Sequence, residues 1–347
     1  MRTRRHTGGT GMQSIRQSLT RRTALRAIGA AGVAVALPAL AQQAVVTLRY
    51  ASLFNAQHSA SRSAEYFAEL VAKKTDGKLR IQVFHNGALG TEEEAARGVH
   101  SGTIDLGYSG LPGFGSFIRD IRVLEMPYLY ASLDELKRVV DQVQPILEAL
   151  FVKASLQPLG YQFDGPRMTL ATRPLRSFAD FKGLKFRVPQ SPLYVDMVKA
   201  FGAIPTPVAL PEAYTALQAH VADAIEGSAT TLYTGKYYEV ARNLVHTDHI
   251  FYVAYVAMNP GVFQRQTPEA QQALVEAGRE TTDYNLKIAK EANLADLDRL
   301  VQAKLAVMTP PRQPFVDAVH PMNQAFAESL GGRAMEIYGE LQKVTGH

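Results

Sequence analysis

Apolar residues recur along this chain in two periods, one suited to helices and one to strands, and their alternation lays out most of the fold. Residues 45–53, VVTLRYASL, read as an opening strand. From Ser61 onward, Ala64, Phe67, Ala68 and Val71 follow the i, i+3, i+4, i+7 spacing of an amphipathic helix, which Thr75-Asp76-Gly77 stops. LRIQVF then alternates Leu79, Ile81 and Val83 on one face of a second strand. Strand, helix, strand is the βαβ unit of an α/β protein.

The pattern continues in the same style. Thr91-Glu92-Glu93-Glu94 opens a helix with a capping box and places three acids at the positive end of its dipole. GTIDLGYSG predicts a short strand running into a Gly/Pro-rich loop, followed by a helix near Ser132 to Val143 and the strand LGYQFDG. Leu184, Phe186 and Val188 alternate with Lys185 and Arg187 in another strand. Ser191 is placed to cap the next helix, Pro192 suits its first turn, and Tyr194, Met197, Val198 and Phe201 line one side before Gly202 ends it. Arg187 therefore stands where a strand hands over to a helix. In open α/β sheets that edge binds ligands, and a helix N-terminus there favours anions. From Thr267-Pro268-Glu269 a helical pattern runs without proline to about Val307, roughly 40 residues or ~60 Å. Its apolar positions form no sustained heptad, so it reads as a helix bracing two domains rather than a coiled coil.

The ends change the electrostatic picture. Residues 1–41 carry seven arginines and no acid, then the apolar run AIGAAGVAVALPALA, and read as a signal peptide cleaved after Ala39-Leu40-Ala41. Thr20-Arg21-Arg22-Thr23-Ala24-Leu25 gives it a twin-arginine character, and Met12 is an alternative start. The formal charge of +5 on the whole chain belongs to this leader: without it thirty basic residues face 32 acidic ones, a net charge of about −2. Nucleic-acid binding loses its support. Without cysteine there is no disulfide framework, lipid-anchor thiol or thiolate chemistry. The expected product is a monomer in the bacterial periplasm whose roughly 306 residues make two domains.

Catalytic and cofactor motifs are missing. No histidine pair has metal-ligand spacing, His246 and His249 in VHTDH read as surface or hinge-packing residues, and no G-x-S-x-G, phosphate loop or dinucleotide fingerprint follows a strand. No catalytic residue, metal or cofactor is assigned; scattered carboxylates leave acid/base chemistry open. Two arginines in similar settings stand out instead: Arg167 just after LGYQFDG, and Arg187 twenty residues on. A guanidinium holds a carboxylate through two parallel hydrogen bonds, which lysine does not copy.

Five blocks in order carry a resemblance over essentially the whole mature chain: FAELVAKKTDGKLRIQVFHNGALG, VLEMPYLY, FKGLKFRVPQSPLYVDMVKAFGAIPTPVALPEAYTALQ, VADAIEGS and KYYEVARNLVHTDH. The chain resembles the extracytoplasmic solute-binding receptors of tripartite ATP-independent periplasmic (TRAP) transporters, of the C4-dicarboxylate-receptor type. The resemblance implies an α/β, two-domain, type II-like binding-protein fold with a hinged cleft, domain I being 42–164 with 253–292 and domain II 165–252 with 293–347. It implies a small organic-acid ligand, the small and large membrane subunits of a TRAP permease as partners, and no enzymatic role. Arg187 would make the main salt bridge to the ligand's carboxylate with Arg167 second to it, and Asn55, His58, Tyr108 and Ser109 would come from the first domain. Where relatives carry VDGQENP this chain has VADAIEGS, so Gly227 replaces the asparagine that helps hold the carboxylate. Glu226, Ser228, Phe251 and Tyr252 are the expected replacement contacts. A sensory receptor presenting its ligand to a membrane kinase would share the fold, and a periplasmic enzyme acting on an organic acid is the other alternative.

Overall fold

The computed structural model of the protein describes residues 45–345; the expected leader lies outside them. The chain opens with β1 (Val46–Ala51), α1 (Ser59–Lys74), β2 (Leu79–Phe84), α2 (Glu92–Ser101) and β3 (Leu106–Ser109). A single turn α3 (Phe114–Phe117), the long α4 (Leu133–Lys153) and β4 (Gln157–Pro166) complete its first half. Then come β5 (Met168–Ala171), β6 (Lys185–Val188), α5 (Pro192–Ala200), β7 (Ile204–Pro207), α6 (Ala213–Gln218), β8 (Ala224–Gly227), α7 (Ala229–Thr234) and β9 (Asn243–Val245). Last are β10 (Phe251–Met258), α8 (Pro260–Gln264), α9 (Pro268–Gln302), β11 (Ala306–Met308), α10 (Gln313–Leu330) and α11 (Arg333–Thr345).

These strands form two sheets, ordered β2-β1-β3-β10-β4 and β11-β9-β5-β8-β6-β7. The predicted βαβ unit is present: β1 and β2 pair in parallel from Val46↔Leu79 to Ala51↔Phe84. Between them α1 buries Ala64, Phe67 and Val71 against Leu48, Tyr50 and Leu106. The capping box at Thr91 and Glu94 also forms as predicted.

The chain passes between the sheets three times. The first passage is at Arg167, between β4 and β5, and the second at residues 246–250, between β9 and β10. The two strands of chain are stitched together there: the Arg167 N–H donates to the Ile250 carbonyl at 2.8 Å and the His249 N–H to the Arg167 carbonyl at 3.2 Å. Helix α9 makes the third passage. The edge strand β4 would otherwise leave backbone donors unpaired. Instead the Tyr161 N–H donates to Thr282 Oγ1 and the Phe163 N–H to Asn285 Oδ1, both side chains of α9. The helix lies so close that a Cβ at Gly278 would fall 2.0 Å from the Leu159 carbonyl oxygen. Further along, Asn293 Oδ1 accepts from the Ala229 N–H at the start of α7, beside the second sheet. One helix thus ties both sheets together.

Two local expectations are corrected. The long helix ends at Gln302, not near Val307, so its 35 residues span about 52 Å. The chain reverses at Lys304, with φ of 58°, because Ala306–Met308 pairs with Asn243–Val245 as a strand. Ser191 precedes α5 but its hydroxyl makes no capping bond. The C-terminal helices bridge as well: α11 buries Ala334, Ile337 and Leu341 against α4 and residues 119–125, while α10 packs on α5. The main apolar core accordingly runs from Phe114, Leu136 and Phe151 through Val253 to Phe181, Phe186 and Phe315.

Candidate functional site

Arg187 is the third residue of β6, paired on one side with Ile225 of β8 and on the other with Thr206 of β7. Its neighbours Phe186 and Val188 are fully buried, and Arg187 itself is 2% exposed. The Nε–H donates to the Val208 carbonyl at 2.9 Å, and among the described residues no carboxylate forms an ion pair with this guanidinium. Burial pulls its pKa down, yet a guanidinium stays protonated. A buried charge costs several kcal/mol when no counter-ion pairs with it.

Arg167 is as buried and differently occupied. Its Nη2–H donates to Glu226 Oε1 at 2.8 Å and its Nε–H to Oε2, a bidentate pair with a side chain of β8. His249 Nε2 stands 3.5 Å from the same carboxylate, and the rings of Tyr194 and Tyr252 each lie 5.4 Å from the Arg167 Cζ. Burial opposes ionisation of Glu226, but the Arg167 charge and hydrogen bonds outweigh it and hold the carboxyl at about 2. Arg167 is correspondingly held well above its usual range, against the cost of burial.

Both arginines face one cavity of about 40 Å³, whose wall includes Phe54, Glu92, Pro112, Tyr194 and Tyr252. An adjoining chamber of about 260 Å³ shares Leu53, Phe54, Leu210 and Thr231 with it and is walled further by Asn55, Asn86, Tyr214 and Tyr237. Phe54 follows β1, Pro112 follows β3 and Arg187 is the last but one residue of β6, so the cavity lies at the carboxyl ends of strands from both sheets, where α/β sheets bind ligands. Glu92, at the first turn of α2, turns one oxygen inward: Oε1 accepts from the Ser109 hydroxyl at 2.9 Å and the Gly110 N–H at 2.7 Å. Burial pushes this carboxyl up, against those two bonds. Gly110 has to lack a side chain, since a Cβ there would fall 2.3 Å from the Tyr252 hydroxyl. Behind Tyr194, whose hydroxyl donates to Glu125 Oε2 at 2.8 Å, burial raises the Glu125 carboxyl to about 8. A larger groove of about 650 Å³ between α1, α7 and α9 is lined by exposed Arg62, Lys236 and Arg299. Its buried carboxylate, Asp296, is already paired to Arg299 at 2.7 Å.

The chain matches the model of the bacterial extracellular solute-binding proteins of family 7 over residues 50–329. It belongs to that family. The 2,3-diketo-L-gulonate-binding periplasmic protein of Escherichia coli K12 is 31% identical over 297 residues, which are 85% of this chain and 88% of that one. A solute-binding protein of Sulfitobacter sp. strain NAS-14.1 is 30% identical over 309 residues, 88% of this chain and 94% of that one. Among solved structures, a TRAP periplasmic solute-binding protein of a Bradyrhizobium species, in complex with D-galacturonate, superimposes with a TM-score of 0.81. It is 27% identical and the match covers 87% of this chain and all of that one.

This family 7 chain has the two-domain, type II-like α/β fold expected of it, with the cavity between the sheets. Of the residues singled out in the sequence, Arg187, Arg167 and Tyr252 meet in the inner wall. Asn55 walls the outer chamber and donates from Nδ2 to the Thr234 carbonyl at 3.0 Å, while its Oδ1 accepts from the N–H groups of Gln57 and His58. His58 is buried, stacks on Phe54 at 3.7 Å, and lies 3.1 Å from Thr231 Oγ1; burial lowers its pKa to about 4. Tyr108 lies behind Phe54, 6.0 Å away between ring centres, and Ser109 acts on the cavity only through Glu92. Glu226 is taken up by Arg167. Gly227 lies within β8, where a Cβ would press on Thr231 at 3.1 Å. Ser228 caps α7 and donates to Asp164 Oδ2 at 2.7 Å. Phe251 begins β10, half-buried beside Pro166 and outside the inner wall.

Sequence reasoning missed Glu92 and assigned Tyr194 only to the apolar face of its helix. A signal for Glu92 existed. Glu94 alone closes the capping box with Thr91, which leaves Glu92 without a capping task. Of the two histidines, His249 is fully buried against Glu226, whereas His246 stands 3.9 Å from half-exposed Asp248. Among the described residues no group of three or more acidic or histidine side chains is placed to hold a metal ion, and no helix is long and apolar enough to cross a membrane.

Proposed function

We propose that this family 7 protein captures a small organic acid in the periplasm and delivers it to the small and large membrane subunits of a TRAP permease, without transforming it. Arg187 takes the carboxylate, Arg167 with Tyr194 and Tyr252 forms the rigid wall beside it, and the two sheet-bearing halves close over the ligand. In a cavity with little water the ion pair is worth far more than at the surface. The chain works as a monomer, exported by its N-terminal leader, and Arg187 with Arg167 is the core of its binding site. Sugar acids are the favoured ligand class. The observation that carries the reading is Arg187, buried in the cavity wall with no carboxylate partner among the described residues. It is supported by relatives and structural neighbours whose names give 2,3-diketo-L-gulonate, D-galacturonate and L-galactonate as ligands.

A melting-temperature screen of the mature protein tests it. The panel comprises D-galacturonate, D-glucuronate, L-galactonate, succinate, lactate and the neutral sugar D-galactose. A ligand at 100 times its Kd adds ~2.7 kcal/mol of stability. We expect the sugar acids to raise the melting temperature by several degrees and galactose to leave it unchanged. Equal shifts with acids and galactose, or none with any acid, would sink the proposal.

A further inference from the structure

The geometry points to Glu92 as the residue that selects hydroxylated monocarboxylates over dicarboxylates in this cavity. The inference rests on the carboxylate-binding role proposed for Arg187 and deepens it.

The two oxygens of Glu92 have different surroundings. Oε1 is saturated by the Ser109 hydroxyl and the Gly110 N–H, which fix the orientation of the group. Oε2 has no hydrogen-bond partner among the described residues and is not a buried atom, so it is open to a donor, on a residue that lines the cavity. The Ser109–Gly110 segment is itself held: Ser109 pairs with Tyr255 of β10, and Gly110 packs under the Tyr252 ring. The free oxygen is therefore a fixed acceptor, not a mobile surface carboxylate.

Glu92 enters from the first sheet's side and Arg187 from the second's. A ligand whose carboxylate pairs with Arg187 has to lay the rest of itself along a wall that includes Glu92. A hydroxyl there donates to Oε2, a charge-assisted hydrogen bond. A second carboxylate there brings no proton and meets like charge, and like-charge contacts are how binding sites reject the wrong partner. The formal charges agree: of the two arginines lining the cavity, Arg167 is cancelled by Glu226 and Arg187 is taken by the first carboxylate, which leaves neither for a second one.

Glu92→Gln separates the two effects. The amide oxygen keeps the bonds from Ser109 and Gly110, while the amide nitrogen replaces Oε2 with a donor. Calorimetric titration with D-galacturonate and with succinate should show galacturonate binding weakened about tenfold or more in the variant, from loss of a charge-assisted acceptor, and succinate binding strengthened. A galacturonate-to-succinate affinity ratio unchanged from the wild type overturns the assignment, as does a wild type that binds succinate the more tightly. If Glu92→Gln melts early, Glu92→Asp replaces it: the charge stays and the oxygen retracts, so galacturonate should weaken with no gain for succinate, and a gain overturns the inference. Arg187→Ala run in parallel keeps the two proposals apart. Undiminished binding there breaks the carboxylate reading, whereas lost binding there with a flat ratio in Glu92→Gln breaks only the role of Glu92.

Discussion

Arg167 and Arg187 lie twenty residues apart, share one cavity and are 8% and 2% exposed, yet their surroundings are opposite. Around Arg167 the charge is answered from within the chain: Glu226 pairs with it through Nε and Nη2, two tyrosine rings flank it, and its backbone is bonded into the second crossing between the sheets. Around Arg187 the described residues supply one carbonyl and no counter-ion. The lesson is that burial alone does not distinguish a charge answered within the fold from one left open. What distinguishes them is the part of each polar group that the fold leaves unsatisfied, and that part is where a ligand gains most by binding.

The comparison is broken most directly at its satisfied end. Glu226→Ala leaves Arg167 buried with no carboxylate, and removing one partner of a buried pair costs about 3–5 kcal/mol. Urea unfolding should show that loss; a change under 1 kcal/mol would mean that Arg167 is solvated rather than paired. Arg187→Ala should give the mirror image. We expect affinity for D-galacturonate to fall a hundredfold or more, about 2.7 kcal/mol, with the unfolding free energy unchanged or raised. Stability lost with affinity retained would reverse the two roles.

The pH dependence of stability probes the wall that joins the two seats. The Glu125 carboxyl has an ordinary value of 4.5 and is raised by burial to about 8. Between those values the unfolded chain has released its proton and the folded chain has kept it, so stability falls as pH rises. From pH 6 to pH 7.5 the loss attributable to this group is at most about 2 kcal/mol, at ~1.4 kcal/mol per pH unit. Glu125→Gln should flatten that slope. His58 acts at the acid side: its pKa is lowered by burial from 6.5 to about 4, so the unfolded chain binds more protons in that window and stability is lost as pH falls through it. An unchanged slope between pH 6 and 7.5 in Glu125→Gln would show that the carboxyl behind Tyr194 is ionised.

How much of this could be read from the residues depends on the range of the interaction. The βαβ opening, the capping box at Thr91 and the seat of Arg187 at the end of β6 were legible because each is set by neighbours within a few positions. The tie between Arg167 and Glu226 spans 59 residues, and that between Asn55 and Thr234 spans 179, so neither is written in any local pattern. Glu226 was expected to touch the ligand from its place in VADAIEGS; its bidentate bond with Arg167 is a feature that no local pattern shows. Glu92 was hidden by a sufficient local explanation, since an acid in the first turn of a helix already has a reason to be there. The helix end at Gln302 was overrun for the opposite reason. Residues 303–307 carry no proline or glycine, and only pairing of β11 with β9 takes them out of the helix.

The smallest expected effect repeats the contrast between the two seats with a pair of serines, each preceding a helix. Ser228, on the Arg167 side, is fully used: its hydroxyl accepts from the Thr231 N–H at 3.1 Å and donates to Asp164 at 2.7 Å. Ser191, four residues after Arg187, is 2% exposed and its hydroxyl has no partner among the described residues. Ser228→Ala removes a cap and a bond to a charged acceptor and should cost roughly 1–2 kcal/mol. Ser191→Ala removes an unsatisfied buried group, so the unfolding free energy should stay within about 0.5 kcal/mol of the wild type or rise. Equal losses in the two variants, measured by urea titration, would mean that Ser191 caps α5 after all and that the Arg187 seat is no less satisfied than its counterpart.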